Sequence, residues 1–537
     1  MTAAAAHPRM LSERRRPAVN PWLVALTVSM ATFMEVMDTS IANVSLRYIA
    51  GGLAAGQSES TWILTSYLVS NAIILPISGW LSSVLGRKRF YMICVALFTV
   101  SSFLCGIAPN LGLLLFFRVL QGAGGGGLAP SEQAILADSF EPRQRGLAFA
   151  LYGMAVVVAP AIGPTLGGYI TDTIGWRWIF FINIPVGVLS LFLTHMLVTD
   201  SSAAIEEHEE VWKSGKLKVD FMGFGLVALG LGSLQVVLDK GQEDDWFGSH
   251  FIVFFTICAA VGIIGCIIWE LWITDEPIVD LPLFRNISFL TTNLVMFATF
   301  FVLLSTTQLL PQFTQESLGY SATEAGLILM PGGFLIMALM PIVGKLVNVV
   351  QPKYLVAFGL FIMGCAMSHL TTLNLQISFG VLALARCYQT AGMAFLFVPI
   401  NTAAYIGLPK GKSNNASALI NLMRNLGGSV GISAAATMLA RRSQFHQNRL
   451  AGNIAPTNAD YLAAIHNITA TLLHAGVATV EASKMAVALV YQSLQNQASI
   501  LSYLDVFQIL AYGAWAMIPL ALLMARSKPG EKVQAGH

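Results

Sequence analysis

Apolar runs of spanning length recur along this chain, separated by short polar or charged segments. A helix of about 20 apolar residues crosses the hydrocarbon core of a bilayer. Runs near 22–46, 60–84, 90–108, 111–138, 146–172, 177–199, 219–239, 250–273, 288–311, 322–347, 353–371, 375–404, 412–440 and 502–526 predict fourteen spans. The fold class expected is therefore an all-α polytopic membrane protein. Composition agrees: only 11% of the 537 residues are charged and 55% are hydrophobic, whereas soluble domains carry about 25% charged residues.

The polar segments orient the spans. With the N-terminus inside, twenty of the 30 Lys and Arg fall in inner loops or tails, and seven fall in outer segments. Arg118, Arg386 and Arg424 lie within spans. This bias predicts a cell-membrane protein, of the inner membrane where there are two, with both termini cytoplasmic. The basic start followed by an apolar run has the outline of a signal peptide. The run 22–46 is longer than the roughly 7–15 residues of a signal core and contains Glu35 and Asp38, so it is expected to stay as an uncleaved span. The connection 200–218, "DSSAAIEEHEEVWKSGKLK", is polar and predicted cytoplasmic. The segment 441–500 is long, outer, and mixes polar runs with apolar residues at helical spacing. It is expected to form an extracytoplasmic helical hairpin.

An internal repeat divides the chain. "PISGWL" at 76–81 recurs as "PIVGKL" at 341–346, and "RVLQGAG" at 118–124 as "RCYQTAG" at 386–392. Both pairs are shifted by eight spans, which two six-span bundles separated by two inserted spans would produce. The expected organisation is a basic tail 1–20, a first bundle 21–199, the linker 200–218, inserted helices 219–273, a second bundle 288–526 and a tail 527–537. Repeated halves with a site between them characterise transporters.

Ionisable groups inside a membrane are costly, at least about 2.5–3.5 kcal/mol each, and usually face the bundle interior. Glu35 and Asp38 are three residues apart on one helix face. Asp38 and Arg118 lie at similar depths from the outer ends of spans 1 and 4, so a proton-carrying pair is expected there; a static ion pair is the alternative. Glu132 lies deeper in span 4 and is expected either to line a cavity or to be hydrogen-bonded at the inner mouth, and Glu35 is read likewise. Asn43, Gln121 and Gln133 are candidates for contacting substrate or for bridging helices. Arg386 and Arg424 are expected to serve mainly in structural pairing.

In span 5 ("APAIGPTLGG", 159–168), Ala155, Ala159, Gly163 and Gly167 recur every fourth residue, interleaved with Pro160 and Pro164. Such a stripe allows close helix contact. Its functional reading is a seal between the halves that breaks in one state. "GLPKGKS" at 407–413 falls one residue short of a phosphate-binding loop and follows no strand. The six cysteines form no C-x-x-C pair and the nine histidines are scattered, so no cofactor or metal site is expected. A net charge of +2 gives no nucleic-acid footprint.

These residues carry a resemblance. The chain resembles the major facilitator superfamily and, within it, the fourteen-span drug:proton antiporters of the EmrB/QacA type, over about 20–526. The matching stretches are "MDTSIANVS" at 37–45, the loop 2–3 residues Gly79, Leu81, Gly86, Arg87, Lys88 and Arg89, the span 4 residues Arg118, Gln121 and Gly122, the span 5 residues Gly153, Ala159, Pro160, Gly163, Pro164, Gly167 and Gly168, and "WRWIFFINIPVG" at 176–187. Where the loop 2–3 motif usually has Asp then Arg, this chain has Ser83 and Val84, so Arg87 is expected to need another acceptor. The resemblance implies multidrug export driven by proton entry, with Asp38 and Arg118 in coupling. It also implies small-molecule substrates and docking of a periplasmic adaptor protein and an outer-membrane channel on 441–500. The competing readings are a dedicated metabolite exporter, for a fatty acid or peptide-like product, an uncoupled uniporter, and a membrane enzyme or sensor. The last lacks both a cluster of catalytic residues and room for an output domain.

Overall fold

The computed structural model describes residues 20–524, apart from 202–203, 207, 210–219, 275–276, 375, 407, 409–411, 453 and 455–456. The predicted basic tail up to residue 19, most of the 200–218 linker and the 527–537 tail lie outside the described residues.

The first six long helices are α1 (Pro21–Gly52), α2 (Trp62–Leu85), α3 (Arg87–Ile107), α4 (Leu111–Ser139), α5 (Pro142–Thr173) and α6 (Trp178–Leu197). Next come α7 (Phe221–Lys240) and α8 (His250–Ile268). The second set is α9 (Ile287–Leu318), α10 (Ala322–Leu346), α11 (Pro352–Leu370), α12 (Phe379–Ala404) and α13 (Ser413–Ala451), followed by the short α14 (Ala459–His474) and the long α15 (Thr479–Ala516). No strand occurs among the described residues.

Local chemistry sets the helix starts. Asn20 accepts a hydrogen bond from the Trp22 amide at 3.0 Å ahead of Pro21, and Asn110 accepts one from Leu113 at 2.9 Å; both satisfy amides that a helix N-terminus leaves free. Ser321 and Glu324 form a capping box on α10. Gly86 alone joins α2 to α3 with φ at +83°, a conformation glycine adopts without the Cβ penalty. α5 continues through Pro160 and Pro164, as membrane helices can when neighbours satisfy the freed carbonyls.

Packing repeats after eight helices. α1 lies on α5, α2 on α4 and α3 on α4; α9 lies on α13, α10 on α12 and α11 on α12. The two bundles meet where α5 packs on α10 and α2 on α13. α7 leans on α2 and also touches α13, while α8 lies outside it and is mostly exposed along its length. The end of the bundle where α1 and α3 begin is called here the basic end, and the opposite one the far end.

Three expectations change in detail. Among the described residues, thirteen helices are long and apolar enough to cross a membrane; the predicted span 412–440 belongs to a further one, α13, which packs between α9, α15 and α2 but carries Asn414, Asn415, Asn421, Arg424 and Asn425. Its polar side chains are mostly turned inward, so hydropathy alone under-reads it. Second, the helices of 441–500 do not keep to those limits. α13 runs unbroken past 440 to Ala451 and α15 begins at Thr479, with α14 packed on α15 between them. No proline or glycine interrupts either helix at the expected boundary, and Asp505 ties the two by accepting from Arg442 at 2.6 Å and His446 at 2.7 Å. Third, the glycines of the α5 stripe serve the first bundle. A Cβ on Gly163 would come within 2.5 Å of Ser40 Oγ, and one on Gly167 within 2.9 Å of Ile41, so they seat α1. The seam with the second bundle uses another face of α5: Gly146 against Gly344, Ala161 against Gly333, and Pro164 and Thr165 against Gly326.

Candidate functional site

Asp38, on α1, is buried in the far half of the first bundle and surrounded by donors. Its Oδ2 accepts from Arg118 Nη1 at 2.7 Å, and its Oδ1 from Gln121 Nε2 at 3.1 Å and Asn183 Nδ2 at 2.7 Å. Arg118 Nε donates to the Ile63 carbonyl (3.1 Å) and Nη1 also reaches Gln121 Oε1 (2.7 Å), while Nη2 is buried without a partner among the described residues. Its guanidinium lies 4.5 Å from the Tyr67 ring centroid, a favourable cation–π geometry. Ser102 closes the network by accepting from Gln121 at 2.6 Å and Asn183 at 3.1 Å. Arg118 and Gln121 are wholly enclosed. The spacing 118–121 is one helical turn, which is why both reach Asp38 from α4. Such a pair is costly to desolvate and holds only because its lone pairs are met.

A second polar layer lies nearer the basic end. Glu35 Oε1 accepts from Tyr67 Oη and Asn71 Nδ2, both at 3.2 Å. Glu132 accepts from Ser29 Oγ at 2.5 Å. The second oxygen of each carboxylate has no partner among the described residues. Arg424 bonds Tyr152 Oη and lies within Coulombic reach of both acids. Among the described residues it has no carboxylate in direct contact, and it bonds a phenol.

Below this layer the halves are stitched together. Gln133 donates to Asn401 at 3.1 Å and accepts from Asn421 at 2.7 Å. Tyr152 donates to Asn421 at 3.4 Å and Asn425 to Asn71 at 3.1 Å, and at the edge Asn348 donates to the Arg143 carbonyl at 2.8 Å. Gly79 lies against Asn415. Among the described residues, these side-chain hydrogen bonds joining the two bundles run from mid-depth, where Asn71 also holds Glu35, down to the basic end. The path between the bundles is therefore shut at that end.

The loop 2–3 residues sit beside this closure. Arg87 pairs with Asp138 at the end of α4 and donates to the Ala134 carbonyl at 3.2 Å. Asp138 is thus the acceptor that Ser83 and Val84 do not supply. Arg89 and Asn43 are exposed and join neither polar cluster. Gln121 and Gln133 act as bridges. Arg386 is buried and bonds Gln389 Oε1 at 2.5 Å and Thr307 Oγ1 at 3.2 Å; among the described residues it meets amide and hydroxyl oxygens, not an acid. Ser102, Tyr152, Asn183, Asn401 and Asn421 escaped the sequence reading. Asn183 had a signal, a lone amide in the apolar "FFINIPVG" run.

Chemistry and architecture converge here on one family: two repeated bundles, a central path and buried charges along it. A sequence profile of the Major Facilitator Superfamily matches residues 28–432. The chain belongs to the Major Facilitator Superfamily. Within the superfamily it is 37% identical over 449 residues to the Multidrug export protein EmrB of Escherichia coli (strain K12), covering 83% of this chain and 86% of that one. It is 39% identical to the protein of the same name from Haemophilus influenzae, covering 81% and 84%. It is 37% identical to the Fatty acid resistance protein FarB of Neisseria gonorrhoeae, covering 84% and 87%. These identities make it an EmrB-like member of the superfamily. Among solved structures, the proton:xylose symporter XylE superposes with a TM-score of 0.59 at 16% identity, covering 95% of this chain and 97% of that one. The human organic anion transporter MFSD10 gives 0.57 at 12%, covering 93% and 100%. Both show the same superfamily fold.

Proposed function

We propose that this multi-pass membrane protein is a proton-coupled antiporter that exports lipophilic or amphipathic compounds from the cytoplasm. The basic end is the cytoplasmic face, by the distribution of Lys and Arg, and the host membrane is the inner membrane. The observation that carries the reading is Asp38: an enclosed carboxylate whose two oxygens take three donors, one of them Arg118. Protonation of Asp38 frees Arg118 and turns an acceptor of three donors into a mismatched group. That change favours rearrangement of α1 against α4, and with it release of the basic-end closure. Deprotonation restores the pair. Glu35 and Glu132, each with an oxygen left over, offer negative charge to a cationic substrate on the same path. Apart from these acids, an open apolar groove of about 520 Å³ between α9, α13 and α15, lined by Phe297, Phe301, Met438, Val506 and Leu510, suits a lipophilic molecule. The curated relatives named for multidrug export support the substrate class. The protruding ends of α13 and α15, with α14, form the platform on which a periplasmic adaptor leading to an outer-membrane channel docks.

A narrower cargo, a fatty acid, is the second reading, favoured by the likeness to a fatty-acid-resistance protein. The two separate in inverted membrane vesicles energised by a proton gradient. A multidrug exporter accumulates a lipophilic cation and a neutral dye, and loses both when the gradient is collapsed. A dedicated exporter accumulates fatty acid alone. Accumulation that survives collapse of the gradient excludes proton antiport.

A further inference from the structure

The two bundles carry the same basic motif with different company. Arg118 and Gln121 recur as Arg386 and Gln389, each arginine seven residues from the far-end start of its helix. In the first bundle Asp38 receives their donors. In the second, Thr307 on α9 meets Arg386 at 3.2 Å in the corresponding place, and among the described residues no carboxylate forms an ion pair with Arg386.

The donor balance is one-sided. Gln389 turns its carbonyl oxygen to Arg386 Nη1, so its amide nitrogen points elsewhere. That Nε2 and Arg386 Nε are both buried without a partner. Thr307 accepts from Arg386 and donates to the Leu303 carbonyl at 2.8 Å, so its proton is used. Every unmet polar group of the cluster is a donor, on or beside a guanidinium only 3% exposed. A buried cation with unmet donors calls for an anion. Thr307 is half-buried, so the cluster is not wholly enclosed on its α9 side.

The geometry points to Arg386, Gln389 and Thr307 as a binding site for a monovalent anion, either the carboxylate of an amphipathic substrate or chloride. This rests on the exporter reading for the identity of the amphiphile, but not for the site itself. A carboxylate there would mimic Asp38 in the other bundle and accept from Arg386 and Gln389 together.

The test is equilibrium binding of radiolabelled octanoate and radiolabelled chloride to the full-length protein in nanodiscs, with a labelled lipophilic cation, tetraphenylphosphonium, measured in parallel. Saturable binding of either anion to the wild-type protein is expected. It should weaken at least about tenfold in Arg386→Gln, the loss of charge-assisted hydrogen bonds. Should Arg386→Gln not fold, Thr307→Asp decides: its carboxylate takes the donors, and anion binding should fall while tetraphenylphosphonium binding persists. Octanoate that chloride displaces at millimolar concentration assigns the site to inorganic anion; octanoate that resists chloride assigns it to the substrate's carboxylate. Equal anion affinity in wild type and variants overturns the site, as does the absence of binding of both anions to wild type. Failure of tetraphenylphosphonium alone to bind wild type counts against the multidrug reading and leaves the anion site standing.

Discussion

Arg118 and Arg386 occupy equivalent places in the two bundles, and their surroundings differ by one carboxylate. Around Arg118, Asp38 gathers a guanidinium and the amides of Gln121 and Asn183, both of which also reach Ser102, with one guanidinium nitrogen left unmet. Around Arg386, among the described residues, a glutamine oxygen and a threonine hydroxyl are the acceptors. The first cluster has a group that changes charge when it binds a proton; in the second, a hydroxyl stands where that carboxylate would be. A duplicated scaffold has thus kept its cation in both halves and its acid in one. The physical lesson is an asymmetry of charge: the first bundle pairs its buried cation with a titratable acid, and the second leaves its buried cation with neutral acceptors, which is the basis of the coupling proposed above.

That contrast can be broken at graded cost. The largest effect is expected from Asp38→Thr, which copies the second-bundle arrangement into the first. Gradient-driven export should fall on the order of 100-fold, the low end of what a positioned proton-transfer group contributes; initial uptake rates in energised vesicles measure it. Arg118→Leu leaves a buried carboxylate without its cation and should destabilise the first bundle by about 3–5 kcal/mol, seen as a lowered unfolding midpoint in detergent. Gln133→Leu strands Asn401 and Asn421 at the seam between the bundles and should weaken the closed basic end by about 1–3 kcal/mol. Faster deuterium uptake at the end of α12 and the start of α13 would report it. The smallest effect is expected outside the buried path. Arg442→Ala removes a partly exposed pair with Asp505 and should cost about 0–1 kcal/mol, with uptake rates unchanged.

Much of the architecture was legible because the bilayer imposes one length on every apolar run. The runs gave helices close to where hydropathy put them, and the eight-span offset of the two motifs foreshadowed the repeated helix pairings. α13 was the least distinct of the runs, since its buried asparagines depress hydropathy. The limits of 441–500 were not legible: a helix leaving the membrane keeps its backbone pattern, and Ala, Arg and Gln there sustain it. Within the site, equal depth brought Asp38 and Arg118 together on paper, as it does in space. Their third partner, Asn183, was hidden as a single amide in an apolar run. The partners of Arg386 were hidden for a different reason. A serine–threonine stretch, "LLSTTQLL", carries no charge to mark the position equivalent to Asp38. Likewise Gly163 and Gly167 announced a close helix contact, but small residues do not say which helix approaches; that was decided by Ser40 and Ile41 on α1.

The most direct test of proton coupling through Asp38 is proton movement in proteoliposomes holding an internal pH dye, wild type against Asp38→Asn, with a lipophilic cation added under an imposed pH gradient. The account predicts substrate-dependent proton flux in wild type and none in Asp38→Asn, while exchange of labelled for unlabelled substrate without a gradient survives in both. Equal substrate-dependent proton flux in the two proteins would contradict it.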